Sequence, residues 1–372
     1  MSKLRLAVVG AGRLGGFHAH KLTARNDVEL LAVVDPAVEN RCRVAAECRA
    51  EPLADHTGLL DRVDAAVIAA PTCLHYRIAR DFLEAGVHLL VEKPLCATRG
   101  EADELVSAAR RTKTVLQVGH VERFNPAFRA TADEIGEPKY IDAVRASVFT
   151  FRSTDIGVVL DVMIHDIDLI LSLVRSPLRK VDALGFSVVG GHEDVANARL
   201  EFESGCVANL SASRVSDGQV RRMQVWSSAG YADIDFAARD VKFVRPSETL
   251  RRRSFDVNGL TPEQLAHCRE HFAAEHLPQD CRSFDAVDAL VLEQDDFLDS
   301  IRAGRQPLVN GEAGRDAMTV AAQILAKIDA HCWNGAYDGL AGPMAKDYGR
   351  IPLAPQLGMP PFKQTIPRKK AG

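Results

Sequence analysis

An apolar run over residues 4–9 breaks into Gly10-Ala11-Gly12-Arg13-Leu14-Gly15, and a second apolar run over 28–34 ends in Asp35, twenty residues beyond Gly15. A GxGxxG sequence alone constrains little. When it closes a strand, opens a helix and is followed by an acid at the tip of the next strand, it specifies a dinucleotide-binding βαβ unit. Gly10 permits the tight turn, Gly12 lets a pyrophosphate approach the backbone, and Gly15 lets the helix pack against the strand. The free N–H groups of the helix start, at Arg13 and Leu14, face the phosphate charge. Asp35 is placed to accept from the ribose hydroxyls and to repel a 2′-phosphate, which favours NAD over NADP.

The remaining 300-odd residues exceed what one such unit needs, and 372 residues accommodate two domains of ordinary size. With 47% apolar and 26% charged residues and a net charge of −4, the chain has the balance of a globular protein, without a nucleic-acid or membrane-binding surface. No apolar run reaches the ~20 residues that span a bilayer. Lys3 and Arg5 lead at once into the first strand rather than into a signal-peptide core, so the expected location is the cytoplasm. The eight cysteines are scattered and form no CxxC, which argues against a zinc ribbon or a disulfide framework.

Up to about residue 120, strand-like stretches (4–9, 28–34, 65–69, 88–91, 114–118) alternate with helical ones (13–25, 37–49, 74–85, 98–111). Continuous apolar strands separated by helices specify a parallel, doubly wound sheet. Beyond Asn125-Pro126 the rhythm changes. A helix over 126–135, a strand over 141–151 and a helix over 158–174 precede strands at 181–189, 195–202, 206–215, 221–227 and 232–236. Their tight returns predict an antiparallel, open-faced sheet. Residues 245–280 read as a charged, irregular excursion, and helices near 283–303 and 312–330 close the fold. The expected division is 1–124, 125–340 and a C-terminal tail, 341–372.

In an open parallel sheet, ligands sit beyond the carboxyl ends of the strands. The strand at 88–91 ends there in Glu92-Lys93-Pro94. A lysine at that edge can hydrogen-bond a substrate hydroxyl and favour a developing alkoxide. Ala70-Pro71-Thr72 closes the neighbouring strand, and His75 follows one helical turn later, so this loop is expected to contact the cofactor. Asp161 and His165 are four apart in an apolar helix and share a face, with Asp168 nearby. Polar groups in such a helix are costly unless paired or lining a pocket. A histidine there suits the removal of a hydroxyl proton near neutrality. The structural alternative is a satisfied core histidine with a structural aspartate. His18 and His20 read as packing or rim residues. His267, His271 and His276 have chelating spacing, but a solvated helix explains them as well, and no metal is expected. Arg251-Arg252-Arg253 reads as a solvated loop, or as a clamp if the substrate carries a diphosphate.

The glycine turn, Ala70-Pro71-Thr72, Glu92-Lys93-Pro94, Gly119-His120 with Arg123-Phe124-Asn125-Pro126, and Asp161-x3-His165-Asp166-x-Asp168 occur in that order. This series resembles the glucose–fructose oxidoreductase/inositol dehydrogenase/rhizopine-catabolism (Gfo/Idh/MocA) family. The resemblance covers about 1–240 and, more loosely, the last helices. It implies an α/β chain: an N-terminal Rossmann domain, and a C-terminal α+β domain whose large, open, mostly antiparallel sheet mediates a homodimer or homotetramer. It also implies oxidation or reduction of one carbon of a sugar, cyclitol or nucleotide sugar. Lys93 would contact the reacting hydroxyl, His165 would act as acid/base, and Asp161 would position His165 or the substrate. The stretch 157–216 is most similar to a bacterial subfamily that oxidises C3 of UDP-N-acetylglucosamine, through Leu160 to Asp168, His192 to Leu200 and Ala212 to Ser216.

The sequence thus predicts an NAD-dependent oxidoreductase. Lys93, His165 and Asp161 carry its chemistry. Gly10, Gly12, Arg13, Leu14, Gly15, Asp35, Ala70, Pro71, Thr72, His75, Glu92 and Lys93 hold its cofactor. Lys93 would supply the electrostatic work that a metal does in other alcohol dehydrogenases. Two rivals are reduction of a non-sugar ligand (biliverdin-like or a dihydrodiol) on the same fold, and an inert NAD-binding regulator, which would need none of the three catalytic candidates.

Overall fold

The computed structural model describes residues 3–151, 153–189 and 191–331, so the expected tail at 341–372 lies outside the described residues. Six strands, β1 (Leu4–Val9), β2 (Val28–Val34), β3 (Glu51–Leu53), β4 (Ala65–Ile68), β5 (His88–Glu92) and β6 (Leu116–Gly119), form one parallel sheet in the order β3-β2-β1-β4-β5-β6. That order reverses between β1 and β4 and opens a crevice at their carboxyl ends, the dinucleotide-binding topology. Helices α1 (Arg13–Thr23), α2 (Val38–Cys48), α3 (Thr72–Glu84) and α4 (Arg99–Thr112) make the crossovers. Both faces are covered, so β4 is apolar and buried at every position. The short strand β3 went unread because Glu51-Pro52-Leu53 shows neither an apolar run nor an alternation.

The second sheet has eight strands, all antiparallel except for one pair. They are β7 (Pro138–Ala146), β8 (Leu178–Phe186), β9 (Val195–Phe202), β10 (Val207–Ser213), β11 (Val220–Ser227), β12 (Gly230–Asp235), β13 (Asp240–Val244) and β14 (Gln279–Ser283). Their order is β14-β13-β12-β11-β7-β10-β9-β8, with β7 and β10 parallel at its centre. Burial alternates strictly along β10. One face packs on helices α5 (Pro126–Glu134), α6 (Ile164–Val174) and α10 (Gly311–Ala330), with Ile141, Leu210, Met223, Ile234 and Phe243 buried in one core. The other face is open.

Three expectations need correction. The strand at 141–151 starts earlier and stops at Ala146. Residues 245–280 are not irregular: β13 leads through α7 (Glu248–Arg251) and α8 (Pro262–His276) into β14. Helix α8 is announced by Thr261-Pro262-x-Gln264, a capping box with proline at its first position, yet it buries no residue, so no apolar stripe marked it. Finally, α9 (Ala289–Ala303) does not belong to the second domain's core. Phe297 and Leu298 are packed with Leu6, Val8, Ala19 and Leu90 of the parallel sheet and α1. Helix α10 bridges both domains. Gly311 and Gly314 lie so close to Leu116 and Val118 of β6 that an added Cβ would come within 2.7 and 2.5 Å of their side chains.

Helix α9 is therefore a late-arriving brace of the N-terminal domain. Phe297→Ala removes a side chain buried in that core and is expected to cost about 3–5 kcal/mol, read as a lowered denaturation midpoint.

Candidate active site

The glycine turn has the geometry its spacing requires. Gly10 has φ +98°, and a Cβ there would lie 2.5 Å from Ala69 O. A Cβ on Gly15 would lie 1.8 Å from Gly10 O, so α1 presses directly on the turn. A Cβ on Gly12 would meet no protein atom within 4 Å; it faces outward, where a ligand's phosphates would run. Helix α1 has no side-chain cap and no acid in its first turn, which leaves its amides free for an anion. Arg13 and Leu14 are exposed there. Asp35 ends β2 half-buried, accepting from Ala11 N and Ala37 N, both at 2.8 Å. Each carboxylate oxygen keeps acceptor capacity for a ribose hydroxyl. These residues fit a bound dinucleotide.

Two residues expected at the cofactor are occupied otherwise. His75 is 1% exposed, with Nδ1 2.9 Å from Pro94 O and Nε2 2.7 Å from Ala70 O. It ties the end of the β4 loop to the Glu92-Lys93-Pro94 turn, and burial lowers its pKa. Glu92 is buried as well. It accepts from His18 and, at 3.3 Å, from Lys93 N, so it shapes the turn from beneath. Thr72 begins α3 almost buried, beside the exposed Pro71 and half-buried Ala70.

Lys93 leaves the carboxyl end of β5 and crosses to the second domain. Its Nζ donates to Asp161 O at 2.7 Å and to Asp161 Oδ1 at 3.1 Å. The helix that carries Asp161 departs from expectation. Val159–Met163 is a π-turn, and only then does α6 continue as a regular helix. Such wide turns are frequent at functional sites. The main-chain oxygen that accepts from Lys93 belongs to this wide turn. The segment is pinned from outside. Glu193, its carboxyl pushed up in pKa by burial, takes Val159 N, and Gly157 leaves room for that carboxyl, which a Cβ would approach to 2.0 Å. The Asp194–Arg214 pair (2.7 Å) holds Ile156 O through the guanidinium.

His165 lies one turn beyond Asp161, its ring partly exposed and its Nδ1 enclosed without a hydrogen-bond partner. Burial, then the charges of Lys93 and Arg145, hold its pKa well below the ordinary value, so it is neutral at pH 7. His120, at the end of β6, meets it edge-on at 6.3 Å, buried and with both ring nitrogens unpartnered. Sequence reasoning quoted His120 within a motif without giving it a place in the site. Its position after β6, at the same sheet edge as Lys93, was the available signal. Asp168, by contrast, turns away into a bidentate pair with Arg123 (2.7 and 3.2 Å), a structural role. Arg251 and Arg252 are both paired with Glu248, a local arrangement that leaves the diphosphate clamp without support. His267 pairs with Glu275 and stacks on His271 in exposed α8.

An ammonium, a carboxylate and a neutral imidazole thus converge at the carboxyl edge of a dinucleotide-binding sheet. This is the equipment of an oxidoreductase acting on an alcohol or ketone. Residues 4–120 match the family described as "Oxidoreductase family, NAD-binding Rossmann fold", and 128–233 match the GFO/IDH/MocA C-terminal domain. The chain is 36% identical to UDP-N-acetylglucosamine 3-dehydrogenase of Acidithiobacillus ferrooxidans, over 89% of this chain and 99% of that protein. It is 32% identical to scyllo-inositol 2-dehydrogenase (NAD(+)) of Bacillus subtilis, over 58% of this chain and 68% of that one. The solved structure of the Acidithiobacillus enzyme superposes with a TM-score of 0.76 at 34% identity, covering 89% of this chain and 99% of the other. The protein belongs to the Gfo/Idh/MocA family: it is an NAD-binding oxidoreductase.

Because the Lys93 charge helps to keep His165 neutral, Lys93→Met is expected to raise the His165 pKa, measured by NMR titration of the imidazole. An unchanged value would mean that the two groups do not share a field.

Proposed function

We propose that the protein oxidises a secondary alcohol of a nucleotide sugar, with C3 of UDP-N-acetylglucosamine as the substrate position, and that Lys93, His165 and Asp161 do this chemistry. The observation that carries the reading is the Lys93–Asp161 contact one turn from a neutral His165. Two ammonium hydrogens of Lys93 go to Asp161, which leaves the third for the substrate oxygen. His165, already deprotonated, takes the hydroxyl proton, while the Lys93 charge stabilises the developing alkoxide. NAD, which the glycine turn and Asp35 would hold, would supply the hydride acceptor for the carbinol carbon. Asp161 fixes the lysine's direction. Asp35 supports NAD over NADP, since a 2′-phosphate would meet a carboxylate already tied to two backbone amides.

The choice of substrate is supported by similarity along nearly the whole length of the Acidithiobacillus relative. It is also supported by Glu193, Asp194 and Arg214, which hold the entry to the π-turn and belong to the stretch that resembles this subfamily. A cytoplasmic enzyme fits the described helices, none of which is long and apolar enough to cross a membrane. A homodimer or homotetramer fits the open sheet face, where Trp226 packs, tilted, between Tyr140 and Tyr231 at 5.0 and 4.7 Å.

Lys93→Ala and His165→Ala are each expected to lower kcat by about 10²–10⁴ while NAD still binds, read by NADH absorbance and by cofactor titration. Normal turnover in both would reject the roles assigned. Across a panel of UDP-sugars, free sugars and inositols, UDP-N-acetylglucosamine should give the highest kcat/KM; turnover confined to free cyclitols would discard the nucleotide-sugar reading. Gly12→Ala should fold with an unchanged melting temperature and bind NAD poorly, because its Cβ would project outward. Gly15→Ala should lose stability instead, since its Cβ would overlap Gly10 O.

A further inference from the structure

Beneath the Lys93 turn lies a buried polar cluster that the proposed chemistry does not use. It is built from His18 on α1, Glu92 on β5 and Glu293 and Gln294 on α9, with Gln117 of β6 beside it. His18, Gln117 and Glu293 are 0% exposed. Ligating atoms of His18, Glu92 and Glu293 all lie within 4.8 Å of one another. The hydrogen bonds fix most of the protons. Gln294 Nε2 donates to His18 O (3.3 Å), which sets the amide orientation, and it also lies 3.0 Å from His18 Nδ1. Nδ1 must therefore accept, so the ring proton sits on Nε2 and is given to Glu92 Oε1 at 2.8 Å. The other oxygen of Glu92 takes the amide of Lys93, so Glu92 serves only as an acceptor. Gly119 leaves the space this carboxylate fills; a Cβ there would come within 2.8 Å of it.

The side-chain oxygens of Gln117 and Gln294 are buried without a partner, and Glu293 is the ionisable member left unexplained. Both its carboxyl oxygens are buried without a hydrogen-bond partner, and only its main-chain oxygen is engaged, by Gln117 Nε2 at 2.8 Å. A second ionised carboxylate here would face Glu92 with no cation between them. A cation bound by all three side chains would need the Nε2 lone pair, and that nitrogen is already committed as a donor.

We propose that Glu293 is a positioning residue that works as a neutral carboxylic acid beside Glu92, so that one negative charge rather than two lies under the Glu92-Lys93 turn and the turn keeps its reactive direction. Burial first, then Glu92 and Asp296, push the Glu293 carboxyl far above the ordinary range. The groups facing it are Glu92 from β5, His18 from α1 and Asp296 from its own helix; Asp296 is itself paired with Arg305. The inference rests on the reading of Lys93 as the group that holds the substrate oxygen, but part of its test does not need activity.

Glu293→Gln keeps the shape and a donor; Glu293→Ala keeps neither. The Gln variant is expected to retain kcat within threefold. The Ala variant should lose at least tenfold in kcat, with little change in KM for NAD. The second readout is melting temperature against pH. A carboxyl whose folded pKa is raised contributes stability that is present below its unfolded pKa of about 4.3 and is lost as pH rises towards the folded value. Between pH 5 and 8 the wild type should therefore lose stability relative to Glu293→Gln, and the gap between them should widen with pH. A gap independent of pH, a Gln variant as impaired as Ala, or a stoichiometric divalent cation in the purified protein would overturn the proposal. If no sugar is turned over at all, the melting series still decides the protonation of Glu293.

Discussion

One side-chain contact joins the two halves of this molecule at the point where chemistry is possible. Lys93 grows from the parallel sheet, Asp161 from the second domain, and the ammonium reaches both the main-chain and side-chain oxygens of that aspartate. Neither domain alone contains the site. The parallel sheet supplies the cofactor edge, and the π-turn supplies a carbonyl aimed back at it. This geometry makes the relative placement of the domains a catalytic quantity, and much of the remaining structure serves to fix it.

The fixing is done largely by buried ions around α6. Arg145 on β7 is bidentate to Asp166 and also holds Glu122 at 2.8 Å, while Arg123 clamps Asp168. Glu122 and Arg123 sit in the short helical turn just after β6, so these pairs fasten α6 to the exit of the parallel sheet. Buried ion pairs are a poor source of net stability, yet deleting one partner costs about 3–5 kcal/mol. They are better understood as a register device: an α6 rotated by one residue would strand two carboxylates in an apolar core. Helix α10 adds an apolar version of the same restraint, since it packs on β6 at one end and on the second sheet at the other.

How much of this was legible in sequence follows from the range of each interaction. The glycine turn, Asp35, the parallel strands other than β3, and β9 are specified by neighbours in the chain, and the structure forms these strands where they were expected, to within two residues. The resemblance brought Lys93, Asp161 and His165 into one hypothesis; Lys93 contacts Asp161, and His165 lies one helical turn further on. What local pattern missed depended on distant partners. The π-turn is invisible because Val159-Leu160-Asp161-Val162-Met163 fits a regular helix equally well, and Glu193, thirty-four residues on, is what takes its free amide. His75 and Glu92 sit where a cofactor ligand could, but their partners, Pro94 O and His18, turn them inward. Helix α9 falls within the expected 125–340 segment yet packs on the parallel sheet, and nothing within 289–303 says which sheet its apolar face will meet.

Desolvation is the common cause behind the charge states at the site, and it acts in opposite senses on its two sides. Above the Lys93 turn it strips the proton from His165, which leaves a base ready to accept one. Below the turn it keeps a proton on Glu293, so that a single negative charge, on Glu92, underlies the lysine's backbone. Between them the Lys93 ammonium is held by Asp161, its side chain still partly exposed. An ammonium held by one carboxylate has a charge only partly compensated, and the remaining field points along its free N–H. That residual field polarises an alcohol, and a further ionised carboxylate beside Glu92 would weaken it. Keeping Glu293 neutral and His165 deprotonated therefore serves one end: the developing alkoxide becomes the strongest partner Lys93 can find.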